Sequence, residues 1–390
     1  MRIVRNNSNK HFADDFQEIK QFSKIIKNHE INKNLLNYGI SHMSSIQVYS
    51  LPYILEGRDI IYQGKSGTGK TTSYIIGLLC LTDILNPKLQ SLVLLPTREL
   101  AFQIYSVFRS LAFHNAIRIG CVYGGRWIGM DIDRIVENKF HILIGTPGRV
   151  FHILEIKKLK LEDLNILVLD EADILLNDNF KLETYGIYKY IPNDCQHILV
   201  SSTFSYSVLR LAMKFMNNPI KILAKREEVN SKYSSDFYLP VFLEENKFYA
   251  LINFFENSNT HRSMIFCNTI NKAIWLYNKL QNFNYQVGVL HGKMTQSERT
   301  STFTKFMNFE LKYLITTDVL SRGIDVHETI LVINYDMPLN RDTYIHRMGR
   351  TGRYGRKGVI VNFATLKDLY TIIDLEIYYY INFEDLVTFY

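Results

Sequence analysis

The chain has 390 residues, with 45 Lys+Arg against 38 Asp+Glu, a formal net charge of +7, and 47% hydrophobic and 21% charged residues. That is too long for one ordinary core and too apolar for a disordered chain, so two folded domains are expected, and the moderate basic excess favours polyanionic partners. The four cysteines, Cys80, Cys121, Cys195 and Cys267, form no C-x-x-C pair, so neither a zinc site nor a disulfide framework is signalled, and a reducing compartment, cytoplasmic or nuclear, is the expectation.

The chain opens on "MRIVRNNSNKHFADDF", which lacks the apolar core of a signal peptide, and the run "YIIGLLCL" is far too short to span a bilayer, so no membrane is expected. The first buried strand is "DIIYQG". After it, "GKSGTGKTT" at 64–72 fits G-x-x-x-x-G-K-[ST] with Gly64, Gly69, Lys70 and Thr71, and opens a helix. Backbone N–H groups of such a loop, here including Ser66, Gly67, Thr68 and Gly69, close around phosphate oxygens. Lys70 reaches the terminal phosphates, and the hydroxyls of Thr71 and Thr72 stand at the helix start, where Thr71 can ligate magnesium. A chance match in a glycine-rich loop is the alternative, and the flanking strand and helix argue against it.

Further strands follow at "SLVLLP", "HILIGTP", "ILVLDEAD" and "HILVSST", with the amphipathic helix "RELAFQIYSVFRSLA" between the first two. Asp170, Glu171 and Asp173 end the strand "ILVLDEAD". A carboxylate there, beside a phosphate loop, is placed to hold magnesium, as Asp170 would, while Glu171 polarises an attacking water. An acidic helix start is the plainer reading of the same residues. Together with the loop they point to nucleotide hydrolysis.

The polar, serine-rich "VNSKYSSDFYLP" reads as a linker, which divides the chain into residues 1–228, a linker at 229–238 and residues 239–390. Strands recur at "SMIFCNT", "QVGVLHG", "KYLITTD", "ILVINYD" and "GVIVNFA", with a helix at "NKAIWLYNKLQNF". Alternating strands and helices predict an α/β fold, each half a mostly parallel sheet covered on both faces. Near the end, "HRMGRTGR" at 346–353 spaces Arg350 and Arg353 three apart, each after a glycine. A solvated basic face is one reading. Planar, bidentate contact with phosphate is the other.

Taken together, "GKSGTGKTT", "DEAD" at 170–173 and "HRMGRTGR" resemble the DEAD-box RNA helicase family. So do "PTRELA" at 96–101, Gly124 with Gly125, "TPGR" at 146–149, "SMIFCNT", "HGKMTQSER" at 291–299 and "TTDVLSRGIDV" at 316–326. The resemblance runs through the whole chain. It implies two tandem RecA-like domains, each a mostly parallel sheet flanked by helices, with ATP, Mg2+ and RNA bound across the cleft. Within the family, "RTGRYGRKGVIVNFAT" and "KFMNNPIKILAKREE" resemble the translation initiation factor 4A subfamily, including its exon-junction relative.

The resemblance places Gln47 and Phe22 on adenine and Asp325 on the ribose. Arg350 and Arg353 fall on the γ-phosphate, joining Lys70, Asp170 and Glu171 in catalysis. Pro96, Thr97, Arg98, Gly125, Thr146, Gly148 and Arg149 fall on the RNA backbone in the first domain, and Asn268, Gly292, Thr317, Arg322 and Gly323 in the second. Asp173, Ser201, Thr203 and His346 couple the domains. The chain departs from the family at Ser202, where alanine is usual, at Met43 in place of proline, and at Gly64 in place of a common alanine. The implied protein is a monomer that locally unwinds short RNA duplexes with ATP, guided by a helical-repeat scaffold protein. An ATP-locked RNA clamp of exon-junction or ribosome-biogenesis type is the rival, and a DNA helicase a more distant one.

Overall fold

The computed structural model describes residues 2–4, 21–112, 116–177, 180–224, 234–258, 262–318, 331–351 and 358–386. They fall into two compact units: Met1–Gly64 with Thr68–Ala224 in the first, and Lys65–Gly67 with Lys225–Tyr390 in the second.

The first unit holds strands β1 (Arg2–Val4), β2 (Ile60–Gln63), β3 (Ser91–Leu94), β4 (Ile119–Val122), β5 (Ile142–Gly145), β6 (Ile166–Asp170), β7 (Gln196–Ser201) and β8 (Ile220–Leu223). They form one sheet in the order β1-β8-β2-β7-β6-β3-β5-β4. Only β1, on the edge, runs antiparallel to its neighbour; the other pairs are parallel. Successive side chains alternate between two cores. Ile60, Tyr62, Ile144, Val168 and Ile198 enter one, and Ile61, Leu92, Leu143, Leu167 and Leu199 the other. A sheet buried on both faces needs continuous apolar strands, which is why these segments stand out in the sequence. The parallel strands all point their carboxyl ends to one edge, where the connecting loops collect.

Helix starts are fixed by local chemistry. Ser44 and Gln47 make a reciprocal capping box at Ser45–Leu55, and Pro147 sits at the first position of Pro147–Glu155. Helix Arg98–Leu111 buries Leu100, Ala101, Ile104, Phe108 and Leu111, a stripe at helical spacing.

The second unit contains β9 (Ser234–Pro240), β10 (Ser263–Phe266), β11 (Val287–Leu290), β12 (Tyr313–Thr316), β13 (Leu331–Asn334), β14 (Gly358–Ala364) and β15 (Phe383–Asp385), in the order β11-β12-β10-β13-β14-β9-β15. Every pair in it is parallel. Ile265, Ile315, Ile333 and Val361 share one core with Leu276 and Leu280 of helix Ile270–Asn282.

Strand β9 corrects the linker expected at 229–238. Residues 234–238 pair with β14, and 236–238 also with β15, so they belong to the second sheet. The serine-rich composition hid this. Asp236 is a buried strand residue whose carboxylate accepts the Tyr344 hydroxyl, so polarity here marks an internal hydrogen bond rather than exposure. Among the described residues, no helix is long and apolar enough to cross a membrane.

Candidate functional site

Between β2 and helix Lys70–Leu81, the loop bends through Gly67 at φ 75° and Gly69 at φ 87°. Both lie in the left-handed region that favours glycine. At Gly69 there is a second reason, because a Cβ would fall 2.5 Å from Gln47 Nε2. Lys70 Nζ donates to the Gly64 carbonyl at 2.6 Å, which folds the ammonium back over the loop. Ser44 Oγ donates to Thr68 O at 2.6 Å, and Gln47 Nε2 donates to Gly69 O at 3.3 Å. The capped helix start is thereby tied to the phosphate loop. Of the pair assigned to adenine, Gln47 stands at this loop, whereas Phe22 is 5% exposed and packed in the core.

At the end of β6, Asp170 is buried. Its Oδ2 accepts the Tyr74 hydroxyl at 2.8 Å and the Thr71 hydroxyl at 3.3 Å, and its Oδ1 accepts the Glu171 N–H at 2.9 Å. Burial and then the Glu171 charge push the carboxyl up to about 6, against the opposing effects of Tyr74 and Lys70. A buried carboxylate beside a second acid, with the Thr71 hydroxyl alongside, is a hard-oxygen donor set that fits Mg2+. Glu171 has φ 53° and ψ 50°, a left-handed conformation uncommon outside glycine and asparagine, at the step from β6 into helix Ala172–Leu175. Asp173, inside that turn, accepts Ser201 Oγ at 2.8 Å and Thr203 Oγ1 at 2.9 Å, so three of the four residues assigned to coupling meet within one unit. The Ser202 carbonyl accepts Gln63 Nε2 at 3.1 Å.

Tyr74 does not stand out in the sequence, because an aromatic residue in an apolar helix reads as core. Its available signal was position: it lies three residues after Thr71, on the same helical face.

On the loops of the first unit, Pro96 follows β3 and Thr97 caps helix Arg98–Leu111 by accepting the Leu100 N–H at 3.3 Å. Gly125, at φ 91°, lies in the left-handed region that favours glycine, and a Cβ there would displace the Arg98 guanidinium. Thr146 precedes Pro147, and a Cβ at Gly148 would meet nothing within 4 Å. Arg149 is the arginine of this group expected on the RNA backbone. It is buried, and its Nη1 donates at 2.6 Å to Asp131, a fully buried carboxylate that also pairs with Arg126. Its fork is committed to fixing these loops against one another. Asp131, unremarked in the sequence, is the residue that joins them.

In the second unit Arg347 points inward. Its Nε donates to Asp318 Oδ1 at 2.7 Å, Nη2 to Asn268 Oδ1 at 2.8 Å, and Nη1 to Asp336 O at 2.8 Å and Asn334 Oδ1 at 3.1 Å. Asn268 donates onward to Met337 O at 2.8 Å. Arg347 therefore sets the orientation of Asn268 and of the segment holding Thr317 and Asp318. Gly292 lies in the turn after β11. Arg350 Nε donates to the carbonyl of His346, on helix Arg341–Met348, at 3.2 Å. Arg322, Gly323, Asp325 and Arg353 lie outside the described residues.

A family model described as DEAD/DEAH box helicase matches residues 44–211, and one described as helicase conserved C-terminal domain matches 246–355. The chain is 42% identical over 347 residues to "ATP-dependent RNA helicase fal1" of Aspergillus fumigatus, covering 89% of this chain and 87% of that one. It is 39% identical over 367 residues to the fal1 protein of Schizosaccharomyces pombe, covering 94% and 93%. Among solved structures, Saccharomyces cerevisiae Dbp5 bound to RNA and ADP BeF3 is similar with a TM-score of 0.88 and 31% identity, covering 94% and 95%.

Proposed function

The chain belongs to the DEAD-box family of ATP-dependent RNA helicases, and from that premise we propose that it separates short RNA duplexes locally by gripping one strand through its backbone. It is an RNA-stimulated ATPase by class. The observation that carries the proposal is the continuous set of contacts from the phosphate loop through Asp170 to Asp173, Ser201 and Thr203. A change at the nucleotide thus has a short route, through one turn, to the strand end at Ser201.

In this reading the loop amides and Lys70 bind the phosphates, and Gln47 reads adenine. Thr71 and Asp170 hold Mg2+, which neutralises phosphate charge when bound. Glu171 accepts a proton from the attacking water, and Arg350 and Arg353 stabilise charge on the γ-phosphate. Arg98, Gly125 and Gly148 in the first unit, with Asn268 and Thr317 in the second, track phosphates and sugars, so base preference is small. A role like that of translation initiation factor 4A, as a cytoplasmic or nuclear monomer guided by a helical-repeat scaffold, is the finer proposal. In support of a protein partner, the similar yeast Dbp5 has been solved with Gle1 as well as with RNA.

The rival is an ATP-locked clamp. Strand displacement with and without ATP, run beside RNA retention under a non-hydrolysable analogue, separates them: displacement that follows ATP turnover supports the helicase, and retention without displacement supports the clamp. Glu171→Gln serves as the trapped form. Its hydrolysis should fall about 10²- to 10⁴-fold while ATP-dependent RNA retention persists.

A further inference from the structure

Next to the glycine pair, Trp127 is 70% exposed, although tryptophan is usually among the more buried residues. It is the residue preceding helix Ile128–Asn138 and makes no side-chain cap. Its ring is nonetheless held in place. A Cβ at Gly129 would overlap the Cη2, Cζ2 and Cζ3 positions of the indole, so the six-membered ring lies against the bare backbone of the first helical turn. One side of the ring is thus supported while most of its surface stays open.

The neighbours are cationic and fixed. Arg126 stands over the Tyr123 ring at 4.6 Å, donates to Cys121 O at 2.9 Å, and pairs with buried Asp131, which also anchors Arg149. Two residues before Trp127, Gly125 packs on the Arg98 guanidinium. A flat, supported aromatic surface beside guanidinium groups suits an unpaired nucleobase whose phosphates lie over the arginines.

We propose that Trp127 is a stacking platform for one unpaired base of the bound RNA. The proposal rests on the reading that Arg98 and Gly125 face the RNA backbone. It adds to that reading a contact with a base, and with it a mild preference for purines, which stack more strongly, at a single position in an otherwise backbone-tracking site.

The chain has two tryptophans, so replacing Trp275 with Phe leaves Trp127 as the sole indole emitter. In that background, single-stranded oligoadenylate with a non-hydrolysable ATP analogue should quench the emission. Trp127→Ala should weaken RNA binding about 5- to 100-fold while leaving the log–log salt slope unchanged, because no charge is lost. Trp127→Phe should recover most of the affinity. RNA carrying one abasic site should lose affinity at a single position in the parent, and that position should become silent in Trp127→Ala.

Arg98→Ala is the reference. If it weakens RNA binding and flattens the salt slope while Trp127→Ala binds like the parent, the platform is refuted and the backbone reading stands. Unchanged Trp127 emission on saturation with RNA likewise refutes it, and leaves the exposed indole to a protein partner. If the parent itself fails to bind RNA, the backbone reading and the platform fall together. Because Trp127 is exposed, unchanged thermal melting should accompany both Trp127 variants.

Discussion

Two aspartates stand at comparable places in the two units and are treated in opposite ways. Asp170 ends β6, and Asp318 follows β12 by two residues. Asp170 receives two neutral hydroxyls and one backbone N–H, so its negative charge is stabilised but not cancelled. Asp318 receives two N–H groups of the Arg347 guanidinium, which neutralise it within its own unit. The first arrangement holds charge for an incoming cation. The second consumes its charge to hold a surface in shape.

The comparison breaks most severely if Asp170→Asn keeps its activity. Hydrolysis should fall by about 10²-fold or more, since the variant lacks the anionic oxygen assigned to Mg2+. In the absence of nucleotide the same variant should melt higher, by on the order of 2 kcal/mol at neutral pH, because a carboxyl pushed up to about 6 is a charge the fold tolerates at a cost. Calorimetry that shows a loss of stability would mean that Asp170 is compensated in the way Asp318 is.

Arg347→Ala should do the reverse. With the arginine fully buried and its partners Asn334, Asn268 and the Asp336 carbonyl deprived of donors, about 3 kcal/mol of stability should be lost. The pair with Asp318, which is 44% exposed, supplies only a minor share. Denaturant unfolding of the full chain checks this, and a cost below about 1 kcal/mol would show that Arg347 is a surface cation after all.

Tyr74→Phe is the gentlest test. Without its hydroxyl, Asp170 Oδ2 keeps only Thr71 at 3.3 Å and is less well oriented. The Mg2+ concentration that half-saturates binding of a fluorescent ADP analogue should rise about 3- to 10-fold, the worth of a hydrogen bond of about 1 kcal/mol, while binding in EDTA stays unchanged. Equal weakening with and without Mg2+ would assign Tyr74 to packing alone.

These contrasts mark where sequence reading succeeded. The apolar strands were visible because a doubly covered parallel sheet permits little else, and "GKSGTGKTT" was visible because its glycines are backbone requirements. Strand β4 is obscured because Gly120 interrupts its run, and β8 because Lys221 does, while the serines of β9 give it the composition of a linker. Side-chain partnerships were the least legible. Nothing local marks Arg347 as the donor to Asp318, Asn268 and Asn334, or marks Asp131 as the anchor of two arginines. Those identities depend on acceptors and donors brought in from elsewhere in the chain. For Asp318 the partner is 29 residues away, and for Asp170 the tyrosine is 96 away.

The placement of β9 has a consequence for how the protein is made. It is the first strand of its sheet to leave the ribosome, yet its two neighbours, β14 and β15, are the last. During synthesis the first unit can close its sheet, apart from any later adjustment, while β9 still has both edges bare. An unpaired strand of seven residues is a template for wrong pairing, so the second unit needs protection through its elongation, as β2 of the first unit does until β7 and β8 emerge to cover its two edges. A chain cut short between β14 and β15 would keep one of those edges permanently open, and the penalty would be aggregation rather than a defective active site.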